Sequence, residues 1–407
     1  MKVLRFGYVI GPLIGALWAL VMAVVVAVIV SFVTGAALAP VVVPALAVGA
    51  WAGLVMVPAA SARRRILALV AGAGVLATLF WLTAPALRAG EATTPLALTL
   101  AWALFVGATF WPLGYMLAGL SPGKVSRHAF EAAIIRFLTG FGYVFFTLIV
   151  LIPFYVMVMT SLKSQQELLR NPLDFSIEFS RGWALFRSYS ELFDAFHFGR
   201  YLLTSLYVSL ATVAITLAFA VPGAYAVARL RFRGRAAFSR SILLIYMVPM
   251  IVLALPIYIA FSMTGLRNSV LGIVMIYPVT TIPVALYMLQ GYFRGLPAEI
   301  EEAGLMDGLS RLAVISRITL PLSLPALASV ALYVFMIAWN EFLIAFMLLD
   351  DPTKFTLTRG IAMLNSSEIP RQHLMAGAVI ATVPIMVLFL GLEKFMTKGL
   401  TAGSVKG

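Results

Sequence analysis

Four carboxylates lie close together in a chain that is otherwise strongly apolar. Glu299, Glu301, Glu302 and Asp307 fall within residues 296–321, which read LPAEIEEAGLMDGLSRLAVISRITLP. Carboxylates can serve acid–base catalysis or metal binding, and in such sites they are commonly joined by histidine or cysteine. The chain has no cysteine and only three histidines, which lie far apart and without metal-ligand spacing. The sequence therefore predicts neither a metal site nor a catalytic constellation, and we do not expect an enzyme.

A second candidate for chemistry is a glycine-rich segment, GLSPGKV at residues 119–125. A phosphate-binding loop has four residues between its glycines and a serine or threonine after its lysine. This segment lacks one spacer residue, and Val125 follows the lysine. We expect no cofactor to be bound by this chain. If ATP energises its function, ATP and Mg must be held by another chain.

The order of residue types in 296–321 predicts a helix, a turn and a second helix. Pro297 suits the first helical position, and acidic side chains follow in the first turn, where the helix dipole favours negative charge. Gly304 is among the small residues on one face, which permits close approach by a partner. Gly308 interrupts this helix, and Ser310 can cap a second one that ends by Pro321.

Polar side chains also occur inside apolar runs, where they are costly and usually face a cavity or a partner helix. Asn340 and Glu341 form the best such pair, toward the outer third of their span. Glu341 either reaches the outer interface and anchors its helix, or lines and gates a pathway. Tyr277 and Tyr333 could each present a ring and a hydroxyl to a polar ligand, or simply pack with one hydrogen bond each.

The composition identifies the element class that must position these residues. Of 407 residues, 62% are hydrophobic and 11% are charged, and the mean hydropathy is +1.02. These values predict an all-α polytopic membrane protein. The net charge of +13 does not indicate nucleic-acid binding, because the cations occur in short clusters beside apolar runs, as the positive-inside rule requires.

Apolar runs of about 20 residues predict about ten membrane-spanning helices. Their approximate limits are 8–33, 40–60, 66–87, 95–120, 137–160, 201–228, 241–263, 269–290, 322–348 and 373–395. Lysine and arginine cluster before the first of these spans and after the second, fourth and sixth. This alternation predicts that both termini and residues 296–321 are cytoplasmic, and that 161–200 is external.

The spans fall into two groups by composition. Residues 1–125 carry about four spans rich in alanine, valine, glycine and leucine, joined by short loops, which is typical of close-packed lipid-facing helices. Residues 126–407 carry about six spans and are richer in phenylalanine, tyrosine, methionine and proline, with longer polar loops. We therefore predict an accessory segment at 1–125 and a core at 126–407, with 296–321 as a cytoplasmic hairpin.

The hairpin resembles the EAA motif of ATP-binding-cassette importer permeases. Glu302-Ala303-Gly304 is followed after three residues by Gly308, and after nine more by Ile318-Thr319-Leu320-Pro321. The single departure is Gly304, which stands where that motif has a second alanine. The resemblance implies that the hairpin docks on an ATPase subunit. The coupling residues that it implies are Glu299, Glu301, Glu302, Ala303, Gly304, Asp307, Gly308, Ile318, Leu320 and Pro321.

Further landmarks extend the resemblance over about 270 residues, to carbohydrate-importer permeases of the maltose type. They include Thr160-Ser161-Leu162-Lys163 and Trp339-Asn340-Glu341-Phe342. The resemblance implies a multi-pass permease subunit in a bacterial-type inner membrane, carrying a di- or oligosaccharide or related polyol. It also implies a second permease subunit, two copies of an ATPase subunit and an extracytoplasmic solute-binding protein. Such permeases normally have six spans, so the four leading spans are an addition.

A self-contained secondary transporter of a small polar solute is the alternative hypothesis. That class often shows inverted repeats and charged residues near the membrane midplane. We find no convincing internal repeat in the sequence and no midplane acid in the first eight predicted spans.

Overall fold

The computed structural model describes residues 5–57, 86–90, 93–171, 174–177, 179–366 and 369–401. Nearly all the described elements are helices, as the apolar composition predicts, since a helix satisfies its own backbone hydrogen bonds in lipid. The chain divides into two compact units, Met1–Leu185 and Phe186–Gly407. This division lies beyond the predicted module boundary at 125, because the first long helix of the predicted core packs within the first unit. The boundary at 125 stays a prediction about the sequence modules.

The first unit contains five described helices and one small antiparallel sheet. The helices are α1 (Gly7–Thr34), α2 (Val42–Met56), α3 (Pro95–Met116), α4 (Arg127–Ser161) and α5 (Gln165–Arg170), and the strands are β1 (Leu38–Pro40) and β2 (Leu87–Ala89). The strands pair in the register Leu38 with Ala89 and Pro40 with Leu87. Short 3₁₀ turns follow over Phe179–Phe186, with a kink between them at Gly182.

Helices α1 and α2 pack through glycine. A Cβ on Gly15 would overlap the carbonyl oxygen of Gly49, and a Cβ on Gly53 would overlap that of Gly11. Small residues at such positions let two backbones approach closely, which supplies van der Waals contact where lipid gives little hydrophobic drive. The Trp18 indole N–H of α1 donates to the Ala108 carbonyl of α3 at 3.0 Å. Helices α1 to α4 share one apolar core.

The second unit contains the predicted hairpin and most of the predicted core. Its helices are α6 (Arg187–Ala195), α7 (Phe198–Arg229), α8 (Arg235–Tyr246), α9 (Met250–Met263), α10 (Val270–Gly295), α11 (Ala298–Met306), α12 (Arg311–Val314), α13 (Leu320–Leu322), α14 (Leu324–Asn340), α15 (Leu343–Leu348), α16 (Leu357–Leu364) and α17 (Arg371–Thr401). A π-helical turn, Ile315–Thr319, joins α12 to α13, and a 3₁₀ turn, Pro352–Lys354, precedes α16.

Helices α7, α10, α14 and α17 form the centre of this unit. Thr216 of α7 and Thr281 of α10 share a buried hydrogen bond of 2.6 Å between their hydroxyls. The indole N–H of Trp339 in α14 donates to the Ala381 carbonyl of α17 at 3.1 Å. Buried polar groups paired across helices in this way fix the lateral register of an otherwise apolar bundle.

The all-α membrane class is confirmed, whereas the count of ten spans is not. Among the described residues, six helices are long and apolar enough to cross a membrane, or seven if α12–α13 and α14 form one bent span. The predicted span 241–263 is divided into α8 and α9, because Pro249 stands between them. The predicted span 40–60 contains α2, which is 15 residues long. The predicted span 66–87 lies almost wholly outside the described residues.

Candidate functional site: the polar hairpin and the broken helix

The structure confirms the predicted helix, turn and helix. Helix α11 follows Pro297 and carries Glu299 and Glu301 in its first turn. Gly308 has φ +83°, a left-handed conformation that glycine adopts at little cost and ends a helix with. The Ser310 hydroxyl then accepts from the Ala313 N–H at 3.3 Å and caps α12. The glycine turn and the serine cap that the sequence predicts are thus both present.

The second arm of the hairpin runs further than predicted. After α12 the chain continues with helical backbone through the π-helical turn into α13 and ends at Leu322, so Pro321 lies in the last turn of this stretch. The direction changes at Ser323, with a bend of 75° before α14. The Ser323 hydroxyl donates to the Thr319 carbonyl at 2.6 Å and fixes this corner.

Glu301 is buried at the base of the hairpin, with 8% of its surface exposed. Its Oε1 lies 3.3 Å from Nε of Arg229 and accepts from the Thr319 hydroxyl at 3.0 Å. Its Oε2 accepts from the Tyr225 hydroxyl at 3.1 Å. Arg229 also donates to the Leu296 carbonyl at 2.7 Å. The carboxylate therefore joins both arms of the hairpin to the end of α7.

The other predicted coupling residues divide between surface and interior. Glu299, Glu302, Ala303, Asp307, Gly308 and Pro321 are exposed, Ile318 and Leu320 are half-buried, and Gly304 is buried. Gly304 faces Ile318 inside the hairpin, where an added Cβ would lie 2.7 Å from Ile318 Cδ1. The small residue therefore allows the two arms to close on each other, whereas the sequence suggested close approach by a partner.

Two apolar side chains beside the turn were missed by the sequence argument. Met306 is 88% exposed and Leu312 is 76% exposed. They lie at the end of α11 and the start of α12, on either side of Gly308. The sequence signal that could have identified them is the presence of two apolar side chains within an otherwise polar turn. The tip of the hairpin thus combines an apolar surface with the carboxylates of Glu302 and Asp307, a composition suited to contact with another protein.

Asn340 and Glu341 lie in different environments, although they are adjacent in sequence. Asn340 is exposed and donates from its amide to the Met336 carbonyl at 2.9 Å within its own helix. Glu341 stands at the break between α14 and α15. Its carboxylate accepts from the N–H groups of Ile344 at 2.8 Å and Ala345 at 3.1 Å. Glu341 is thus a cap for the new helix, which satisfies orphan N–H groups within an apolar region.

Tyr277 completes this arrangement by donating its hydroxyl to Glu341 at 2.8 Å. Glu341 also contributes to the wall of a cavity of about 420 Å³, together with Tyr333, Thr280, Thr281 and apolar residues of α9 and α10. Tyr277 and Asn340 are not among the cavity-lining residues. Of the four predicted pathway residues, the structure therefore brings Tyr333 and Glu341 to the cavity.

His373 lies buried at the start of α17, in contact with α6. Its Nε2 is 2.7 Å from the Glu191 carboxylate, which also accepts from Nε of Arg187 at 2.7 Å. The hydrogen bonds from Arg187 and then His373 hold the pKa of Glu191 below its ordinary value. In the described part of the chain, no three metal-ligating side chains come together, so this pair is a contact between helices.

The fold and the hairpin together define a multi-pass helical protein with a polar helical turn anchored to its spans. A profile of the family described as "Binding-protein-dependent transport system inner membrane component" matches residues 220–401, which include this hairpin and the broken helix. The chain belongs to this family, and the predicted family is confirmed.

Curated relatives agree with the family match. The inner membrane ABC transporter permease protein YcjP of Escherichia coli (strain K12) is 36% identical over 270 residues, covering 65% of this chain and 95% of that protein. The trehalose/maltose transport system permease protein MalG of Thermococcus litoralis is 33% identical over 281 residues, covering 68% and 99%. The maltodextrin transport system permease protein MdxG of Bacillus subtilis is 31% identical over 269 residues, covering 65% and 95%.

A solved structure shows the same fold. It is that of a bacterial ABC transporter involved in the import of the acidic polysaccharide alginate, with a TM-score of 0.57 and 23% sequence identity over 67% of this chain and 98% of that chain. Nearly whole relatives thus align with about two thirds of this chain. The remaining third is additional to them.

Proposed function

We propose that this chain is the permease subunit of an ATP-binding-cassette importer for a di- or oligosaccharide or related polyol. Relatives named for trehalose, maltose and maltodextrin transport support this substrate class. A second permease subunit, two copies of an ATPase subunit and an extracytoplasmic binding protein complete the transporter. ATP and Mg are held by the ATPase subunits. The self-contained secondary transporter is not favoured, because the family is that of binding-protein-dependent systems.

The observation that carries this proposal is the anchored hairpin with its exposed tip. Met306 and Leu312 offer apolar contact to an ATPase subunit, and Glu302 and Asp307 offer charge for its orientation. Glu301 ties the same hairpin to Arg229 at the end of α7. Displacement of the tip is therefore transmitted to the membrane-spanning helix α7 through the buried ion pair of Glu301 and Arg229. The distribution of lysine and arginine favours a cytoplasmic position for the hairpin and for both termini.

Replacing the turn glycine tests this coupling. Gly308→Leu places a side chain at φ +83°, which costs about 1–2 kcal/mol for a non-glycine residue and distorts the tip. We expect ATPase subunits recovered with the purified chain, and ATP-driven uptake in proteoliposomes, to fall about tenfold or more. Gly291→Leu is the matched control, since Gly291 has open space around it and an ordinary helical backbone.

Two outcomes would overturn the proposal in different ways. Isolation of the unaltered chain from native membranes with no ATPase subunit attached would oppose the importer assignment itself. Full ATPase recovery and full uptake by Gly308→Leu would oppose the role of the hairpin alone, and would leave the family assignment in place.

We further propose that the cavity beside Glu341 belongs to the substrate pathway. Its polar lining residues are Tyr333, Thr280, Thr281 and Glu341, within an otherwise apolar wall. Sugar sites combine hydroxyl partners with apolar and aromatic surface in this way. Glu341 acts mainly through its helix cap, so the Tyr333 hydroxyl is the better probe of contact with substrate.

Tyr333→Phe removes one hydroxyl and keeps the ring. We expect the KM for sugar uptake to rise about fivefold, the value of one hydrogen bond, with normal recovery of the transporter. Tyr287→Phe on α10 is the matched control, because that ring is 52% exposed and does not line the cavity. Equal KM values for the two variants would show that the Tyr333 hydroxyl does not contact the substrate.

A further inference from the structure

A cluster of arginines lies where α7 ends and α8 begins. Residues 229–240 read RLRFRGRAAFSR, with five arginines and no carboxylate. No aspartate or glutamate occurs in the sequence between Asp194 and Glu299. The segment 229–240 therefore concentrates positive charge without an acidic neighbour in the sequence.

Two of these arginines hold the segment in place. Arg229 pairs with Glu301 at 3.3 Å. Arg235 donates to the Ala228 carbonyl at 3.2 Å and to the Leu230 carbonyl at 3.4 Å. These carbonyls lie at the end of α7, where a cation satisfies them and offsets the negative end of the helix dipole. Arg235 therefore fixes the start of α8 against the end of α7.

The turn between the two helices is tight. The Arg235 N–H donates to the Phe232 carbonyl at 3.4 Å, and the Phe238 N–H donates to the Gly234 carbonyl at 2.9 Å. Gly234 has φ +86°, which glycine adopts at little cost. At a rise of 1.5 Å per residue, Arg240 lies only about 8 Å along α8 from its first residue. The arginines before and after the turn are therefore close together.

Three arginines of the segment take no part in this scaffold. Arg231, Arg233 and Arg240 are exposed, and none of them forms an ion pair with a carboxylate in the described part of the chain. By contrast, Arg127 at the start of α4 pairs with Glu131 at 2.6 Å. The three guanidinium groups of this segment can therefore bind an anion that is not part of the described chain.

Helix α10 adds a fourth arginine to the same surface. Gln290 is buried, and its amide, with the oxygen turned toward Arg294, accepts from that guanidinium at 2.8 Å and donates to the Ser239 hydroxyl of α8 at 3.1 Å. Arg294 is exposed, and Ser239 directly precedes Arg240, so the two arginines lie on adjoining parts of one surface. We use the name arginine surface for the surface formed by Arg231, Arg233, Arg240 and Arg294.

The arginine surface lies at the level of lipid headgroups. Helix α7 has 32 residues, a length of about 48 Å, which crosses a bilayer of about 40–45 Å including its headgroup regions. Phe232 is 43% exposed, Phe238 is 48% exposed and Leu244, further along α8, is 63% exposed. Basic residues beside exposed phenylalanine and leucine are typical of segments that lie between headgroups and acyl chains. Lipid phosphate groups are therefore the anions that this surface meets.

We propose that the arginine surface binds the phosphate group of an anionic phospholipid in the cytoplasmic leaflet. Arginine suits this ligand, because its planar guanidinium donates two parallel hydrogen bonds to phosphate oxygens. Clusters of basic residues directly beside a membrane-spanning helix attract anionic lipids. The inference rests on the proposed function only for the side of the membrane on which the lipid lies. Because Arg229 of the same segment holds Glu301, a bound lipid stabilises the attachment of the hairpin.

The test measures the anionic lipid that the full transporter binds. The purified complex in phosphatidylcholine nanodiscs is titrated with phosphatidylglycerol, and native mass spectrometry gives the half-saturating fraction of phosphatidylglycerol. We expect Arg231→Gln combined with Arg233→Gln to raise this fraction about tenfold or more, since each arginine near the membrane surface contributes a factor of about five. Arg240→Gln alone should raise it about fivefold for the same reason.

Arg170→Gln combined with Arg200→Gln is the matched control. Both side chains are exposed and belong to the segment 161–200 that the sequence predicts to be external, and the control loses the same two charges. It should leave the half-saturating fraction unchanged. Arg231→Lys combined with Arg233→Lys keeps the charges and should retain most of the binding, which a merely structural role of the arginines would not predict.

The outcomes separate this inference from the proposed function. Equal half-saturating fractions for the Arg231→Gln, Arg233→Gln variant and its control would show that the arginine surface is not a lipid site. Displacement of phosphatidylglycerol by an equal concentration of inorganic phosphate would make free phosphate the ligand and would overturn the lipid inference. Loss of ATPase subunits from the same variant, with unchanged lipid binding, would make the surface a protein contact. Absence of ATPase subunits from the unaltered chain would oppose the proposed function alone, because the lipid titration can be made on the chain itself.

Discussion

Glu301 shows how one carboxylate can serve coupling without facing a partner. Three neighbouring acids begin α11, yet only Glu301 among them is buried. Its partners come from α7 and from the second arm of the hairpin, so both its charge and its lone pairs are used. A buried ion pair adds little net stability when complete, but it is costly to break on one side. The Glu301–Arg229 pair is therefore a rigid joint between the hairpin and α7.

Loss of this joint is predicted to destabilise the second unit. Glu301→Ala leaves the Arg229 guanidinium, whose side chain is 13% exposed, without a carboxylate. We expect a loss of about 2–3 kcal/mol, a little below the usual cost for fully buried pairs, and a lower recovery of ATPase subunits. Thermal unfolding in detergent checks the first effect. Glu302→Ala is the control, because Glu302 is exposed and should change stability by less than about 0.5 kcal/mol.

The sequence predicts the position of Gly308 and Ser310 well, because turn and cap chemistry is local. It does not predict which acid turns inward, since Glu301 meets Tyr225, 76 residues earlier in the chain. Likewise, the contact of Gly304 with Ile318 depends on how the two arms close. The exposed positions of Met306 and Leu312 follow from the same tertiary arrangement. Local patterns therefore identified the hairpin, and long-range packing decided the roles within it.

At the scale of elements, broken helices give this chain its polar features. The Glu341 cap supplies acceptors for two N–H groups where α14 gives way to α15. The bend of 75° before α14 has its own hydrogen bond at Ser323. Apolar runs of suitable length predicted α1, α3, α4, α7, α10 and α17, because lipid demands such lengths. They did not predict the break at 341, where the Thr358 hydroxyl donates to the Glu341 carbonyl at 2.6 Å.

The helix pair α1–α2 has the opposite character, since it depends on the absence of side chains. Gly15→Ala would place a Cβ on the Gly49 carbonyl oxygen, and only a shift of backbone can relieve that overlap. We expect a loss of about 1–3 kcal/mol from overpacking, seen as a lower thermal midpoint in detergent. Gly107→Ala on α3 is the control, because open space surrounds Gly107 and alanine favours the helix by about 1 kcal/mol. Equal midpoints for both variants would contradict close packing of α1 on α2.

At the scale of the whole molecule, the relatives account for about two thirds of the chain, and we predict that residues 1–125 are the accessory segment. The described part of this segment contacts α4 at two places. In the first third of α4, Arg136 donates to the Ala118 carbonyl at 2.6 Å, and the adjacent Phe137 meets Trp18 edge-on at 6.5 Å. Toward the end of α4, Phe32 stacks on Tyr155. The predicted accessory segment therefore supports α4 at two separate places.

Removal of residues 1–125 should therefore weaken α4 while sparing the hairpin. We expect the shortened chain to insert and to retain its ATPase subunits, since relatives that lack about a third of this chain belong to the same family. Its recovery should fall several-fold and its thermal midpoint should drop, because α4 loses the Trp18, Phe32 and Ala118 contacts. Supplying residues 1–125 as a separate polypeptide is the control, and it should restore both quantities. A shortened chain that inserts normally but recovers no ATPase subunit would show instead that the added helices are part of the coupling machinery.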